Sequence, residues 1–412
     1  MRASPAARVL DITRLVSRAG LGPLTGVDRV EAAYLRALSA EPVPLWLLAR
    51  DRYGWLLLPG AAAADVQGWL AAPETLPQAG WPKRLLRRGD ARARLQAGLR
   101  TLAVARAPRW RLRALLAKAL PAGGTAYNIG LSNLSQRRLG QMKQVPGLRL
   151  AVMLHDTVPL DFPEFARQGE PARFATKLAA TLTHADVILC NSAATRDDIL
   201  RHAAGRHCPQ LVVAHLGVDL ATPDTGALPP LNALPRPYFV SLGTIEPRKN
   251  HALLLDTWDE ILRRMPPDQV PGLVIAGRRG WRNEAVFARL DTARCMGRQV
   301  HELPGLSDGA VAALLHGARA LLMPSRAEGF GLPLLEAAAR KLPVICAPTA
   351  AAREILGDAA VYLDPDDRYS WAAKIIELAQ NTGAGNGTDR QGSDGIGIPT
   401  WTDHFNLVLK ET

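Results

Sequence analysis

The sequence predicts an α/β protein built as two Rossmann-like domains, on three observations. The chain has 412 residues, more than a single hydrophobic core keeps growing to include. Short β-rich runs alternate with amphipathic helical runs in both halves, the pattern of parallel sheets covered by helices. A break then separates the halves: residues 221–237 read ATPDTGALPPLNALPRP, with five prolines and no long apolar run, the composition of a linker. Domains are therefore expected over residues 1–225 and 226–395, with residues 396–412 as a last helix packing back towards the first domain.

In chain order, the first half offers RVLDITR, TAYNIG, RLAVML, ADVILC and QLVVAHL as strands. Ser192, in NSAATRDD, suits a helix cap, because its hydroxyl can accept from an orphan first-turn amide. The second half is clearer. PYFVSLG is a strand, a helix follows from Asn250 to Met265, and GLVIAG, ARALLMPS, PVICA and AVYLD come next, each trailed by a helical pattern. Two such domains facing each other would set a ligand cleft at the carboxyl ends of both sheets. Residues 381–399 contain six glycines and read as a loop, after which TWTDHFNLVLKET supplies a short helix through Phe405, Leu407 and Leu409.

Composition narrows the class. A hydrophobic share of 48% with 21% charged residues is that of a globular protein. Cys190, Cys208, Cys295 and Cys346 are far apart and form no C-x-x-C pair, so no zinc or redox site is expected and a reducing cytoplasm fits. Arg8, Asp11 and Arg14 interrupt the N-terminus before any apolar stretch reaches signal length. The most apolar region, YGWLLLPGAAAADVQGWLAAP, is broken by Gly, Pro and Asp, well short of the roughly 20 apolar residues a membrane span needs.

The chemistry gathers in two places. PSRAEGFGLPLLEAAARKLPVI puts Glu328 and Glu336 around a loop of Gly329, Phe330, Gly331 and Leu332. The glycines let backbone approach a ligand and Pro333 suits the first turn of a helix, whose free amides attract an anion such as a diphosphate. Carboxylates beside that anion would be repelled, so the two acids are expected to hold sugar hydroxyls. Taken singly, Glu336 would serve as a first-turn acid and Glu328 as a solvated one. The second place is GTIEPRKN, where Arg248 and Lys249 stand at a helix start. Cations are poor partners for that end of a helix dipole, and they call for an anion.

These residues resemble the family-4 retaining glycosyltransferases of the GT-B fold. The resemblance rests on SLGTIEPRKN, on ELPGLSDGAVAALLHGARALLMPSRAEGFGLPLLEAAARKLPVI with its Glu, seven residues, Glu spacing, and on LGDAAVYLDPDD, over about residues 238–380. LTGVDRVEAAYLRAL, MLHDTVPLDFPEF and ADVILCNSAATRDDI extend it more weakly into the first half. It implies that Arg248 and Lys249 bind the donor diphosphate and that the amides of Gly329 to Leu332 hold phosphate and sugar. Glu336 would take the ribose diol, and Glu328 the transferred sugar and the charge developing on it. Gly26 and His155 would close over the donor from the first domain. The resemblance further implies transfer with retention, in which the leaving diphosphate helps remove the acceptor proton, and no metal or cofactor beyond the nucleotide-sugar donor. Asp364 and Asp366 in DPDD have metal-binding spacing, but turn formation and helix capping account for them better. GDP-mannose is the donor the resemblance favours, ahead of UDP or dTDP sugars, and the acceptor is a glycan or lipid-linked glycan of a bacterial surface polysaccharide.

The formal charge of +12 is concentrated: from Lys83 to Lys118 twelve Lys or Arg stand against one acid, Asp90. Leu95, Leu99 and Leu102, then Leu112, Leu115 and Leu116, recur at helical spacing on either side of Pro108, an amphipathic basic pair of helices. Such a face either rests on an anionic leaflet or is simply solvated. With Trp110 its one aromatic platform, nucleic acid is not expected as a partner. The expectation is a cytoplasmic enzyme, peripheral at most on the inner face of the membrane. The rivals are a non-catalytic nucleotide-sugar binder of the same fold and an NAD-dependent oxidoreductase. Against the latter, Leu334 stands where a third dinucleotide glycine would.

Overall fold

The computed structural model describes residues 5–77, 91–230, 234–381 and 397–412. The chain divides into two compact units, one running through His155 and adding Ala172–Leu216 and Trp401–Thr412, the other made of Asp156–Pro171 and Gly217–Thr400. The segment Asp156–Pro171, which sequence order assigns to the first half, thus clusters with the second. The reason is local: Trp281 Nε1 donates to Phe165 O at 3.0 Å, Arg282 Nη1 donates to Ala166 O at 3.0 Å, and the Arg167 guanidinium lies 4.2 Å over the Trp281 ring.

Among the described residues the first unit contains an eight-stranded sheet in the order β4-β3-β2-β1-β5-β6-β7-β8. Its strands are β1 (Arg8–Asp11), β2 (Leu45–Arg50), β3 (Trp55–Pro59), β4 (Ala105–Ala107), β5 (Gly124–Asn128), β6 (Leu148–Leu154), β7 (Val187–Cys190) and β8 (Gln210–Val213). Five were expected. Sequence reading missed β2 and β3 because LWLLAR and WLLLP are buried almost throughout and therefore lack the alternation that marks a half-exposed strand. They form an antiparallel hairpin, and β4 extends it. Asp51 closes the turn by accepting from Tyr53 N at 2.7 Å and Gly54 N at 2.9 Å. A Cβ at Gly54 would lie 2.2 Å from Ala107 O, so β4 can pack there only against glycine.

Between Leu102 and Arg109 the basic segment therefore runs as a strand and not simply as a break between two helices. Helix Ala91–Leu102 buries Leu95 and Leu99, and helix Leu112–Ala119 buries Leu112, Leu115 and Leu116. Residues 83–90 of that segment lie outside the described residues. In the helix Trp401–Glu411, His404 and Val408 are buried while Leu407 is 36% exposed, an inward stripe of i, i+4 spacing, and the Phe405 ring lies beside it, 4.9 Å from that of Tyr34. His404 Nδ1 donates to His215 O at 3.0 Å, which leaves Nε2 to accept from Tyr34 Oη at 2.8 Å.

The second unit holds a six-stranded sheet, all its pairings parallel, in the order β11-β10-β9-β12-β13-β14. These are β9 (Tyr238–Leu242), β10 (Gly272–Ala276), β11 (Val300–Leu303), β12 (Leu321–Met323), β13 (Val344–Cys346) and β14 (Val361–Tyr362). All but β11 were expected; VHEL is short and only partly apolar. The central strands are buried on both faces, as a helix-covered parallel sheet requires. Phe239, Trp258 and Trp371 anchor the core at 0% exposure, and both indoles are satisfied, Trp258 on Pro271 O and Trp371 on Asp364 O, each at 2.9 Å. Truncating either to Ala costs about 3–5 kcal/mol on general grounds.

Candidate functional site

The site is assembled where strands of the second unit end. After β9 the chain makes the turn Pro247–Lys249, and Asn250 takes a left-handed φ of 54° to open helix His251–Arg264. After β12, Gly331 takes a φ of 97° and opens helix Leu332–Ala339, with proline in its first turn. A Cβ at Gly331 would be 2.8 Å from the end of the Leu334 side chain, and the left-handed φ is what favours glycine there. Arg326 N donates to Arg248 O at 2.8 Å, which locks the two loops side by side.

That registration brings Arg248, Lys249 and Glu328 into one cluster. Lys249 Nζ donates to Glu328 Oε1 at 2.5 Å, Arg248 Nη1 donates to Glu328 Oε2 at 2.8 Å and to Ala327 O at 3.0 Å, and Arg248 Nε meets Glu246 Oε1 at 2.6 Å. Burial pushes the Glu328 carboxyl up, but Lys249 and Arg248 together hold it down at about 2, so it is ionised at any working pH. Burial also opposes the Arg248 charge, yet Glu328, Glu246 and Asp156 raise its pKa above the ordinary arginine value.

This arrangement differs from the sequence expectation in one respect. The acids were expected to avoid a diphosphate and hold sugar hydroxyls, and pairing with the cations was not foreseen, whereas Glu328 is itself the anion that Arg248 and Lys249 hold. A buried lysine beside a half-buried arginine needs counter-charge, which Glu328 supplies to both and Glu246 to Arg248. Gly329, Phe330, Gly331 and Leu332 run directly from it to the helix start, and Glu336 lies one turn inside that helix at 8% exposure. Asp364 and Asp366 make a turn and a pair: Asp364 Oδ1 accepts from Asp366 N at 2.8 Å, and Asp366 meets Arg326. Asp367 caps helix Arg368–Gln380 through Tyr369 N and Ser370 N.

Sequence reasoning missed Glu246 and Asp156. Glu246 is 3% exposed, and its position two residues before Arg248, after a strand, was the available signal. Asp156 follows His155 in the sequence but belongs to the second unit, where Arg248, Glu328 and Glu246 act on it electrostatically. Burial raises its pKa, with Arg248 opposing.

His155 and Gly26 belong to the first unit. His155 Nε2 donates to Ile129 O at 2.8 Å, and burial lowers its pKa to about 4. The ring is therefore neutral near pH 7, with Nδ1 bearing the lone pair. Its own carbonyl accepts from Asn191 Nδ2 at 2.9 Å. Gly26 is exposed at the start of helix Gly26–Ala40, where a Cβ would meet nothing within 4 Å. Ser192 caps helix Ala193–Ala203 by accepting from Thr195 N at 3.0 Å.

Residues 230–392 match the family described as glycosyl transferases group 1. The serotype-specific mannosyltransferase WbdA of Escherichia coli is 33% identical over 272 residues, covering 63% of this chain and 33% of that protein. The O-antigen chain mannosyltransferase B of Escherichia coli is 28% identical over 242 residues, 57% of this chain and 62% of that one. The matched stretch is thus about a third of the length of WbdA and under two thirds of the second relative. Among solved structures, Anabaena HepE in complex with UDP-glucose aligns over 98% of both chains with a TM-score of 0.64 at 15% identity. Sucrose-phosphate synthase from Thermosynechococcus elongatus aligns over 98% of this chain and 94% of its own, with a TM-score of 0.59 at 15% identity. The fold is GT-B.

Proposed function

We propose, on the premise of a glycosyl transferases group 1 domain carried by a GT-B fold, that this chain transfers a sugar from a nucleoside diphosphate to a glycan or lipid-linked acceptor in the synthesis of a surface polysaccharide. The observation that carries the reading is the clasp of Arg248 and Lys249 on Glu328, immediately before the glycine-opened helix Leu332–Ala339. A diphosphate seated on the helix amides competes for the two cations, and the displaced carboxylate becomes free to accept from sugar hydroxyls. Glu336 is assigned the ribose diol. His155, with Nε2–H committed to Ile129 O, offers Nδ1 as an acceptor for a hydroxyl of the sugar, and Gly26 lets backbone approach the donor.

As the glycosidic bond breaks, charge grows on the leaving diphosphate, and Arg248, Lys249 and the helix amides are placed to stabilise it. The ionised Glu328 stabilises the opposite charge on the sugar ring. The same leaving oxygen can take the acceptor proton, which gives transfer with retention on one face and assigns no metal to the step. GDP-mannose is the preferred donor, supported by the mannosyltransferase relatives; a UDP sugar is the alternative, since HepE is described in complex with UDP-glucose. The basic segment of the first unit is assigned a peripheral contact with an anionic membrane at the cytoplasmic face. Among the described residues no helix is long and apolar enough to cross a membrane.

A thermal-shift panel of GDP, UDP, dTDP and NAD tests the reading. A nucleoside diphosphate at about 100 times its dissociation constant should add about 2.7 kcal/mol of stability. Stabilisation by NAD alone would replace the transferase with an oxidoreductase.

A further inference from the structure

At the carboxyl ends of the parallel strands in the first unit, three arginines lie within electrostatic reach of one another and make no ion pair among the described residues. Arg50 ends β2, which lies parallel beside β1, and Arg50 N donates to Thr13 Oγ1 at 3.0 Å. Arg138 comes from helix Gln136–Lys143 and Arg109 from the turn Arg109–Arg111. Arg109 is fixed to the hairpin at both ends of the residue: its carbonyl accepts from Trp55 Nε1 at 3.3 Å, and its Nη2 donates to Arg52 O at 3.0 Å. Arg50 is within electrostatic reach of Arg109, and Arg138 of both.

One carboxylate, Asp11, also acts on Arg50 and Arg138, but its oxygens are engaged elsewhere. Asn133 Nδ2 donates to it at 2.9 Å, Thr13 N at 2.9 Å and Asn128 Nδ2 at 3.3 Å. Neighbouring arginines in the same unit do have acids: Arg14 and Arg18 share Asp28, and Arg100 holds Asp51. Among the described residues Arg50, Arg109 and Arg138 make no ion pair, and Arg50 Nη1 is buried with no hydrogen-bond partner.

Burial lowers the Arg50 and Arg138 pKa; Arg109 lowers that of Arg50 further, Arg50 and Arg109 lower that of Arg138, and Asp11 opposes both. A guanidinium does not deprotonate in a protein, so a bound anion would relieve the repulsion that Asp11 leaves. Planar forks of N–H donors suit phosphate oxygens best, and strand carboxyl ends are where α/β sheets receive ligands.

We propose that Arg50, Arg109 and Arg138 form a binding site for the phosphate or diphosphate group of an anionic acceptor, separate from the Arg248–Lys249 pair of the second unit. The word acceptor rests on the transferase reading; the anion site itself does not.

Calorimetric titration with inorganic pyrophosphate tests it. In Lys249→Met protein, where the second unit's pair is weakened, adding Arg50→Gln and Arg138→Gln should reduce affinity for pyrophosphate at least tenfold. Should the Lys249→Met protein not fold, the same two substitutions in the wild-type background should remove one bound pyrophosphate. Unchanged affinity and stoichiometry would overturn the site. The nucleoside-diphosphate thermal shift should survive Arg50→Gln/Arg138→Gln, which verifies the fold and reads the donor site independently. If that shift is absent even in wild-type protein while pyrophosphate binding still depends on the arginines, the transferase reading fails and the anion site stands. If the arginine variants lose sedimentation with phosphatidylglycerol vesicles yet keep pyrophosphate affinity, the cluster serves lipid headgroups and the acceptor assignment falls.

Discussion

Glu328 illustrates how a single side chain can satisfy two states in turn. It pairs with Arg248 and Lys249; in the proposed transfer a bound diphosphate would take over those cations and release the carboxylate to the sugar. Glu328→Gln keeps the shape and removes the charge. Sugar transfer should then fall about 100-fold or more, since an electrostatic stabiliser of the transition state is lost. Nucleoside-diphosphate affinity should hold or rise, because the diphosphate no longer competes with a carboxylate for the two cations. Calorimetry beside a transfer assay would show this, and a variant that loses nucleotide binding while retaining turnover would reverse the assignment. The residue types of this site, and the need for glycine at 331, were legible because sequence spacing places them at strand ends. Their pairing was not. It depends on β9 and β12 being neighbours in the sheet, a contact between residues some eighty positions apart.

At the scale of elements, the segment from Ala91 to Ala119 shows what periodicity can and cannot resolve. Its leucines marked both helices, but the short strand β4 between them follows from the edge that β3 offers, which no local pattern records. The same assembly leaves Tyr53 at 62%, Val104 at 61% and Trp110 at 66% exposure, with Arg52 and Arg100 each 4.5 Å over the Tyr53 ring. Exposed aromatic and basic groups side by side suit the interfacial zone of an anionic bilayer. The protein is expected to sediment with phosphatidylglycerol vesicles and not with phosphatidylcholine vesicles, and Trp110→Ser should weaken that binding several-fold. Equal behaviour with both lipids would make this face merely solvated. For the helix Trp401–Glu411, helical form was readable from its apolar residues, whereas the face it buries was set by Tyr34 and the carbonyl of His215.

For the molecule as a whole, three histidines tie stability to pH. Burial lowers His155 to about 4, His251 to about 3 and His404 to about 4. In the unfolded chain each titrates near 6.5. Their folded pKa values are depressed, so the unfolded chain binds more protons between those limits. Stability is fully present above about pH 6.5 and is lost as pH falls towards 4, by up to about 3 kcal/mol per histidine. Thermal unfolding midpoints should therefore drop across this window, and His404→Gln should flatten the slope; a slope that the substitution leaves untouched would remove His404 from the account. The sequence by itself determined the α/β class, two sheets, most strand positions and the chemical types at the candidate site, because each is written in local spacing and backbone preference. Only the tertiary structure decided that Asp156–Pro171 clusters with the second unit, that Glu328 serves as counter-ion to Arg248 and Lys249, and that Arg50, Arg109 and Arg138 converge without an ion pair among the described residues. Those outcomes depend on which distant segments burial brings together, and charge pairing is settled only once the chain has folded around it.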